Sequence, residues 1–188
     1  MTTRIAMWSG PRNISTAMMR SFGGRSDCAV SDEPFYGAFL KTTGQRQPMA
    51  DEVIASMDCN WQSVAEAMRG PVPDGKTLWY QKHMPHHMVT EISIADFPDH
   101  RHTFLIRDPD RVVASYAAKR VEVTADDLGY ARQLDYVDQA AQMAGKAPII
   151  LDSADILRDP EAHLQALCSA LEIPWDAGML KWEAGARE

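Results

Sequence analysis

Residues 7–22 read MWSGPRNISTAMMRSF. The apolar run Ile5-Ala6-Met7-Trp8 is of strand type, Ser9-Gly10-Pro11 breaks it, and Ser15-Thr16 opens a segment with helical spacing to Phe22. Strand, loop and helix in that order form the frame of a P-loop, where backbone N–H groups and a helix N-terminus cradle phosphate oxygens and a lysine adds charge. Laying G-x-x-x-x-G-K-(S/T) on Gly10 puts Ser15 at the second glycine and Thr16 at the lysine. The lysine of ATP chemistry is missing. The loop offers instead Arg12, Asn13, Ile14, Ser15 and Thr16: one guanidinium able to grip a phosphate or sulfate bidentately, with hydroxyls and amides as further donors. The plain alternative is an ordinary capped turn, since Ser and Thr favour helix starts in any case.

The same alternation continues along the chain. Cys28-Ala29-Val30 reads as a second strand ending at Ser31-Asp32-Glu33-Pro34, Thr77 to Gln81 as a third, Thr103 to Ile106 as a fourth, and Ala147 to Leu151 as a fifth. Helical patterns fall around residues 34–42, 51–57 and 60–69, then at Arg111 to Arg120, Asp126 to Ala144 and Pro160 to Leu171. Pro71-Val72-Pro73-Asp74-Gly75 is a turn by composition. Strands alternating with helices imply a central parallel sheet with helices on both faces. No repeat or low-complexity tract interrupts the pattern, so residues 1–188 are read as one α/β domain.

Composition narrows the function. The chain has 188 residues, 45% hydrophobic and 24% charged, which is ordinary for a globular domain with a core of its own. No apolar run approaches the roughly 18 residues a membrane span needs. A net charge of −7 argues against a nucleic-acid surface, so an anionic ligand needs a local cluster of arginines working against the global field. Cys28, Cys59 and Cys168 are widely spaced, with no C-x-x-C pair, and read as reduced thiols of a cytoplasmic protein. Oligomeric state is not legible.

A second anchor lies in FLIRDPDRVVASY, residues 104–116. A buried strand ends in Arg107, Asp108-Pro109-Asp110 turns, and a helix carries Ser115. An arginine at a strand's carboxyl end points into the crevice where open α/β sheets bind ligands. Alternatively, Arg107 pairs with Asp108 or Asp110, and Ser115 is merely surface. Taken together, the two segments resemble the sulfotransferases that use 3′-phosphoadenosine-5′-phosphosulfate. In that family a P-K-S-G-T-T-W loop holds the 5′-phosphosulfate, and Pro11-Arg12-Asn13-Ile14-Ser15-Thr16 is similar in position, with arginine for lysine and isoleucine for glycine. The family's 3′-phosphate site has the form R-(N/D)-P-x-(D/R)-x-x-x-S, and Arg107, Asp108, Pro109 and Ser115 match its fixed spacings.

The resemblance implies a P-loop NTPase-like three-layer fold, that nucleotide as co-substrate, no metal, and a small-molecule acceptor with a hydroxyl or amine. Arg12, Asn13, Ile14, Ser15 and Thr16 then serve the 5′ end, and Arg107 and Ser115 the 3′-phosphate. The family closes its nucleotide site with a C-terminal loop containing glycine and lysine. Trp182 to Glu188 falls where such a segment would begin, so either the chain is C-terminally truncated or the adenosine end is held differently.

Sulfuryl transfer needs a base for the acceptor's proton and positive charge on the leaving oxygen. Two strand ends supply candidates. Gln81-Lys82-His83-Met84-Pro85 resembles the family's K-T-H-L-P segment, whose histidine is the base and whose lysine helps the leaving group. Here Gln81 takes that lysine's position and Lys82 stands one residue nearer. Asp32-Glu33-Pro34-Phe35 resembles an E-P segment of bacterial and carbohydrate-type sulfotransferases, where a glutamate can serve. A histidine titrates near neutral pH unaided, which favours His83 over Glu33. The bland readings are a core histidine and a helix-capping glutamate. His83, His86 and His87 invite a zinc reading, but Pro85 interrupts the helical face and no second ligand pair accompanies them. His100 and His102 read as solvated residues flanking a surface turn. Two other functions stay open: a small-molecule kinase of the same fold, against which the absent lysine counts, and a module that binds the nucleotide without catalysis.

Overall fold

In the computed structural model, residues 2–117 and 124–182 are described. Five parallel strands form one sheet in the order β2-β3-β1-β4-β5: β1 Thr3–Ser9, β2 Cys28–Asp32, β3 Leu78–His83, β4 His100–Ile106 and β5 Ile149–Asp152. The helices between them are α1 (Ser15–Gly23), α2 (Tyr36–Thr43), α3 (Ala50–Ser56), α4 (Trp61–Arg69), α5 (Pro109–Ala117), α6 (Ala125–Leu128), α7 (Tyr130–Ala144), α8 (Ser153–Arg158) and α9 (Pro160–Ala170).

Strand β1 is buried at both faces, and its alternation sorts the core into two halves. Ile5 and Met7 pack with Phe22 of α1, Tyr80, and Leu164 and Leu167 of α9. Ala6 and Trp8 turn the other way, to Phe35, Val64 of α4, Phe97, Phe104 and Tyr136 of α7. Helices on both faces of a parallel sheet make the three-layer α/β architecture that the strand–helix alternation implies.

The order of strands places the site. From β1 the chain passes to β2 and β3 on one side, then crosses to β4 on the other, with Trp8 paired to His83 and to Phe104. The loops after β1 and β4 therefore diverge at a topological switch point, where the carboxyl ends of such sheets leave a crevice.

Local departures from the sequence reading have physical causes. The helix expected over Asp126–Ala144 is two helices, because Gly129 adopts φ +68° and breaks it between α6 and α7. A short helix, α8, follows β5 directly, started by the Asp152 side chain accepting from Ala154 N–H. The fifth helix begins at Pro109, two residues before the expected Arg111, and its expected end at Arg120 lies outside the described residues. His100 and His102 are not on a surface turn. They belong to β4, with His100 buried, and each ring bonds a backbone carbonyl: His100 Nε2 with Met68 O at 3.3 Å and His102 Nε2 with Phe97 O at 2.9 Å. All three cysteines are free thiols.

Candidate active site

The loop after β1 is held from below. Asn13 Nδ2 donates to the Leu105 carbonyl at the end of β4 (3.0 Å), and its Oδ1 accepts from Ile14 N–H (3.0 Å). Buried Gln133 of α7 donates to the same Leu105 carbonyl (3.1 Å) and to Trp8 O (3.4 Å). Gly10 is required by contact: a Cβ there would stand 2.8 Å from the Leu128 carbonyl. Helix α1 has no side-chain cap and no acidic residue in its first turn. Its first-turn amides are thus not capped by a side chain of its own, the arrangement that suits an anion.

The two arginines singled out by sequence meet over this loop. Arg12, in the left-handed conformation at φ +57°, donates from Nε to Ser115 Oγ (3.0 Å). Arg107 donates from Nη1 to the Arg12 carbonyl (2.6 Å). Both bonds lie at the solvent-exposed surface, so a phosphate can replace them at little cost. Ser15 is buried beneath the loop and Thr16 is exposed.

Beside it, Glu33 follows β2, with φ +47°. Lys82, 3% exposed, reaches from β3 to place Nζ 2.7 Å from both Asp32 Oδ1 and Glu33 Oε1. Burial alone would pull the ammonium's pKa down, but the charges and hydrogen bonds of Glu33 and Asp32 outweigh it and hold it above the usual lysine value. Among non-glycine residues, Arg12 and Glu33 hold left-handed backbone on this one cleft, and such strain is characteristically kept at functional sites. The cleft has a volume of about 260 Å³ and is lined by Pro11, Arg12, Glu33, Tyr36, Phe39, Gln45, Gln47, Met84, His86, His87, Tyr116 and Asp127.

His83 is not among those lining residues. At the end of β3 it shares a face with Trp8, stacks on that indole at 4.6 Å and 24°, and packs near Phe35 and Phe97. Its Nε2 meets Gln81 Oε1 at 3.3 Å, while Gln81 Nε2 donates to Met68 O (2.9 Å). Burial, then the nearby His100 and His102, push the His83 pKa down to about 3. Among the described residues no group of three or more His, Cys, Asp or Glu is arranged to hold a metal ion, so the His83, His86 and His87 cluster does not converge. Sequence reasoning missed Gln133 as a strut of the loop and His87 as a wall of the cleft. Gln133 carries no motif, but His86 and His87 were visible and read only for metal.

A strand, a loop and a helix with an uncapped start, and a second arginine at the switch point define the class: a P-loop-type α/β domain. The sulfotransferase domain family model matches residues 3–188, and the chain belongs to that family. It is similar to branched-chain-amino-acid aminotransferase-like proteins 2 and 1 of Arabidopsis thaliana, at 38% identity over 183 residues and 37% over 182. Each match covers 96% of this chain, which spans about a third (32%) of those plant proteins' length. Among solved structures, the sulfotransferase domain of the Synechococcus PCC 7002 olefin synthase matches with a TM-score of 0.61 at 15% identity, covering 98% of this chain and 78% of that one. A sulfotransferase from Alicyclobacillus acidocaldarius matches with a TM-score of 0.60 at 11% identity, covering 93% and 83%. These two show a shared fold. Among the described residues no helix is long and apolar enough to cross a membrane.

Proposed function

We propose that the chain transfers a sulfuryl group from 3′-phosphoadenosine-5′-phosphosulfate to a hydroxyl or amine of a small molecule in the cytoplasm. The observation that carries this reading is the meeting of Arg12 and Arg107, from loops after neighbouring strands, over the uncapped start of α1. Membership of the sulfotransferase domain family supports it.

In this reading the α1 amides, Ser15, Thr16 and the Arg12 guanidinium receive the 5′-phosphosulfate, while Asn13 and Ile14 shape the loop. Arg107 exchanges its bond to the Arg12 carbonyl for one to the 3′-phosphate, and Ser115 is released from Arg12 to join it. The acceptor enters the cleft between Glu33, the aromatic rings of Tyr36 and Phe39, and the Gln45–Gln47 rim. Its oxygen or nitrogen attacks sulfur in line, the bond from sulfur to the bridging phosphate oxygen breaks, and adenosine 3′,5′-bisphosphate leaves with the electron pair. Proton removal belongs to the Glu33 side of the cleft, because His83 is stacked in the core. Lys82, bound to two carboxylates, holds Glu33 in place; the lysine position two residues before His83 is filled by a glutamine bonded into the core.

The test is direct. The chain is incubated with radiolabelled sulfuryl donor and a panel of phenols, aliphatic alcohols and amines, and labelled product is counted. Transfer to at least one acceptor with stoichiometric release of adenosine 3′,5′-bisphosphate is expected. Phosphoryl transfer from ATP to those acceptors, with none from the sulfuryl donor, would establish a kinase instead.

A further inference from the structure

His87 occupies a position that its sequence context does not announce. The 3₁₀ turn Pro85–His87 leaves β3, with His87 N–H donating to the Met84 carbonyl at 3.1 Å. The imidazole is stacked against Tyr36 at 4.9 Å and 21° and against Phe39 at 4.7 Å and 27°, and those two rings stand 6.5 Å from each other. This aromatic cluster fixes the ring plane and leaves its edges to choose partners. One edge is settled. Nδ1 is buried, makes no hydrogen bond, and stands 3.9 Å from Glu33 Oε2. Glu33's other oxygen is taken by Lys82 Nζ. Both carboxylate oxygens thus face side chains of the protein, and the ring, which lines the cleft, carries its second nitrogen on the opposite edge.

We propose that the imidazole of His87 is the group that takes the acceptor's proton, with Glu33 as the carboxylate that orients it. This rests on the sulfotransferase reading above. An approach of about 1 Å brings Nδ1–H onto Glu33 Oε2, and such contacts commonly tighten only once substrate is bound. Nδ1–H then donates to the carboxylate, fixing the tautomer in which Nε2 keeps its lone pair. As the acceptor's oxygen or nitrogen bonds to sulfur, its proton passes to Nε2 and the bridging S–O electrons leave with the bisphosphate. The resulting imidazolium is stabilised by Glu33, whose own charge is steadied by Lys82. Burial, followed by His86, Lys82 and His83, depresses the His87 pKa, so the free ring is neutral and able to accept. The logic is that of a carboxylate–imidazole pair recognised by geometry rather than by sequence position.

The experiment compares wild type, His87→Ala, His87→Phe and Glu33→Gln in the transfer assay, with adenosine 3′,5′-bisphosphate binding measured on each. His87→Phe preserves the aromatic stack and removes the nitrogens. Both His87 variants are expected to lose ~10²–10⁴ in kcat with bisphosphate affinity unchanged, and added imidazole to restore part of the His87→Ala turnover. Glu33→Gln is expected to lower kcat and move the acidic limb of the kcat/KM profile to lower pH, because the carboxylate no longer favours the charged ring. Near-wild-type turnover in His87→Phe beside a dead Glu33→Gln would overturn the assignment and make the carboxylate the base. A His87→Phe variant that loses bisphosphate binding as fully as turnover would overturn it too, showing a packing role. Wild type that transfers sulfate to no acceptor would instead remove the sulfotransferase reading, and the base with it.

Discussion

Arg107 shows how far single residues can be read from spacing. Its match to a phosphate-site pattern placed it at the end of β4, and the structure adds its partner, the Arg12 carbonyl, which no pattern could indicate. The histidines show the limit. A strand buried on both faces has no polar side to reveal, so nothing in Leu78–His83 says that His83 turns inward to Trp8 while the cleft is walled by His87. Likewise His-Arg-His after Pro98-Asp99 resembles a solvated turn until each ring is seen to meet a backbone carbonyl through Nε2. The consequence is testable on one residue. His83→Phe, similar in shape within its aromatic surroundings, is expected to retain sulfuryl transfer within a few fold. Loss of kcat by ~10² or more in a folded variant would return the base to His83.

At the scale of elements, the strand–helix order was legible because apolar runs and helical spacing alternate cleanly. Boundaries set by single residues were not. Gly129 splits α6 from α7, Asp152 starts α8, and Gln133 ties α7 to the sheet ends through bonds spanning distant sequence. The close approach of the α6 end to the loop after β1 gives a sharp expectation. Gly10→Ala places a methyl 2.8 Å from the Leu128 carbonyl, a backbone atom that cannot swing aside. A loss of about 1–3 kcal/mol in urea unfolding is expected, together with weaker nucleotide binding. Gln133→Leu removes two donors from buried carbonyls and is expected to cost about 1–3 kcal/mol. Unchanged unfolding midpoints in both variants would mean that the loop is not braced through these contacts.

For the whole molecule, the net charge is −7, yet Arg12 and Arg107 converge on one crevice. For the proposed nucleotide, the global field is expected to slow approach while the local pair holds the bound anion, so association is expected to quicken with added salt. The buried histidines give the fold a defined acid sensitivity. Folded His83 has its pKa lowered to about 3 and His100 and His102 to about 4, by burial first, against an ordinary 6.5. The unfolded chain therefore binds more protons between about pH 6.5 and these values. Their stabilisation is complete above pH 6.5 and declines as pH falls, by up to about 1.4 kcal/mol per pH unit for each ring. Unfolding at pH 5 is expected to take up more protons than at pH 7.5, and His83→Phe to reduce the difference. Equal proton uptake in wild type and variant would show that His83 titrates normally in the fold.

The central claim is that the crevice between β1 and β4 recognises a nucleotide by its 3′-phosphate as well as its 5′ end. Isothermal calorimetry with adenosine 3′,5′-bisphosphate and with AMP, on wild type and Arg107→Ala, tests it most directly. Wild type is expected to favour the bisphosphate at least ~10-fold, about 1.4 kcal/mol, and Arg107→Ala to bind both ligands alike while remaining folded. Equal affinities in wild type, or a preference that survives Arg107→Ala, would contradict it.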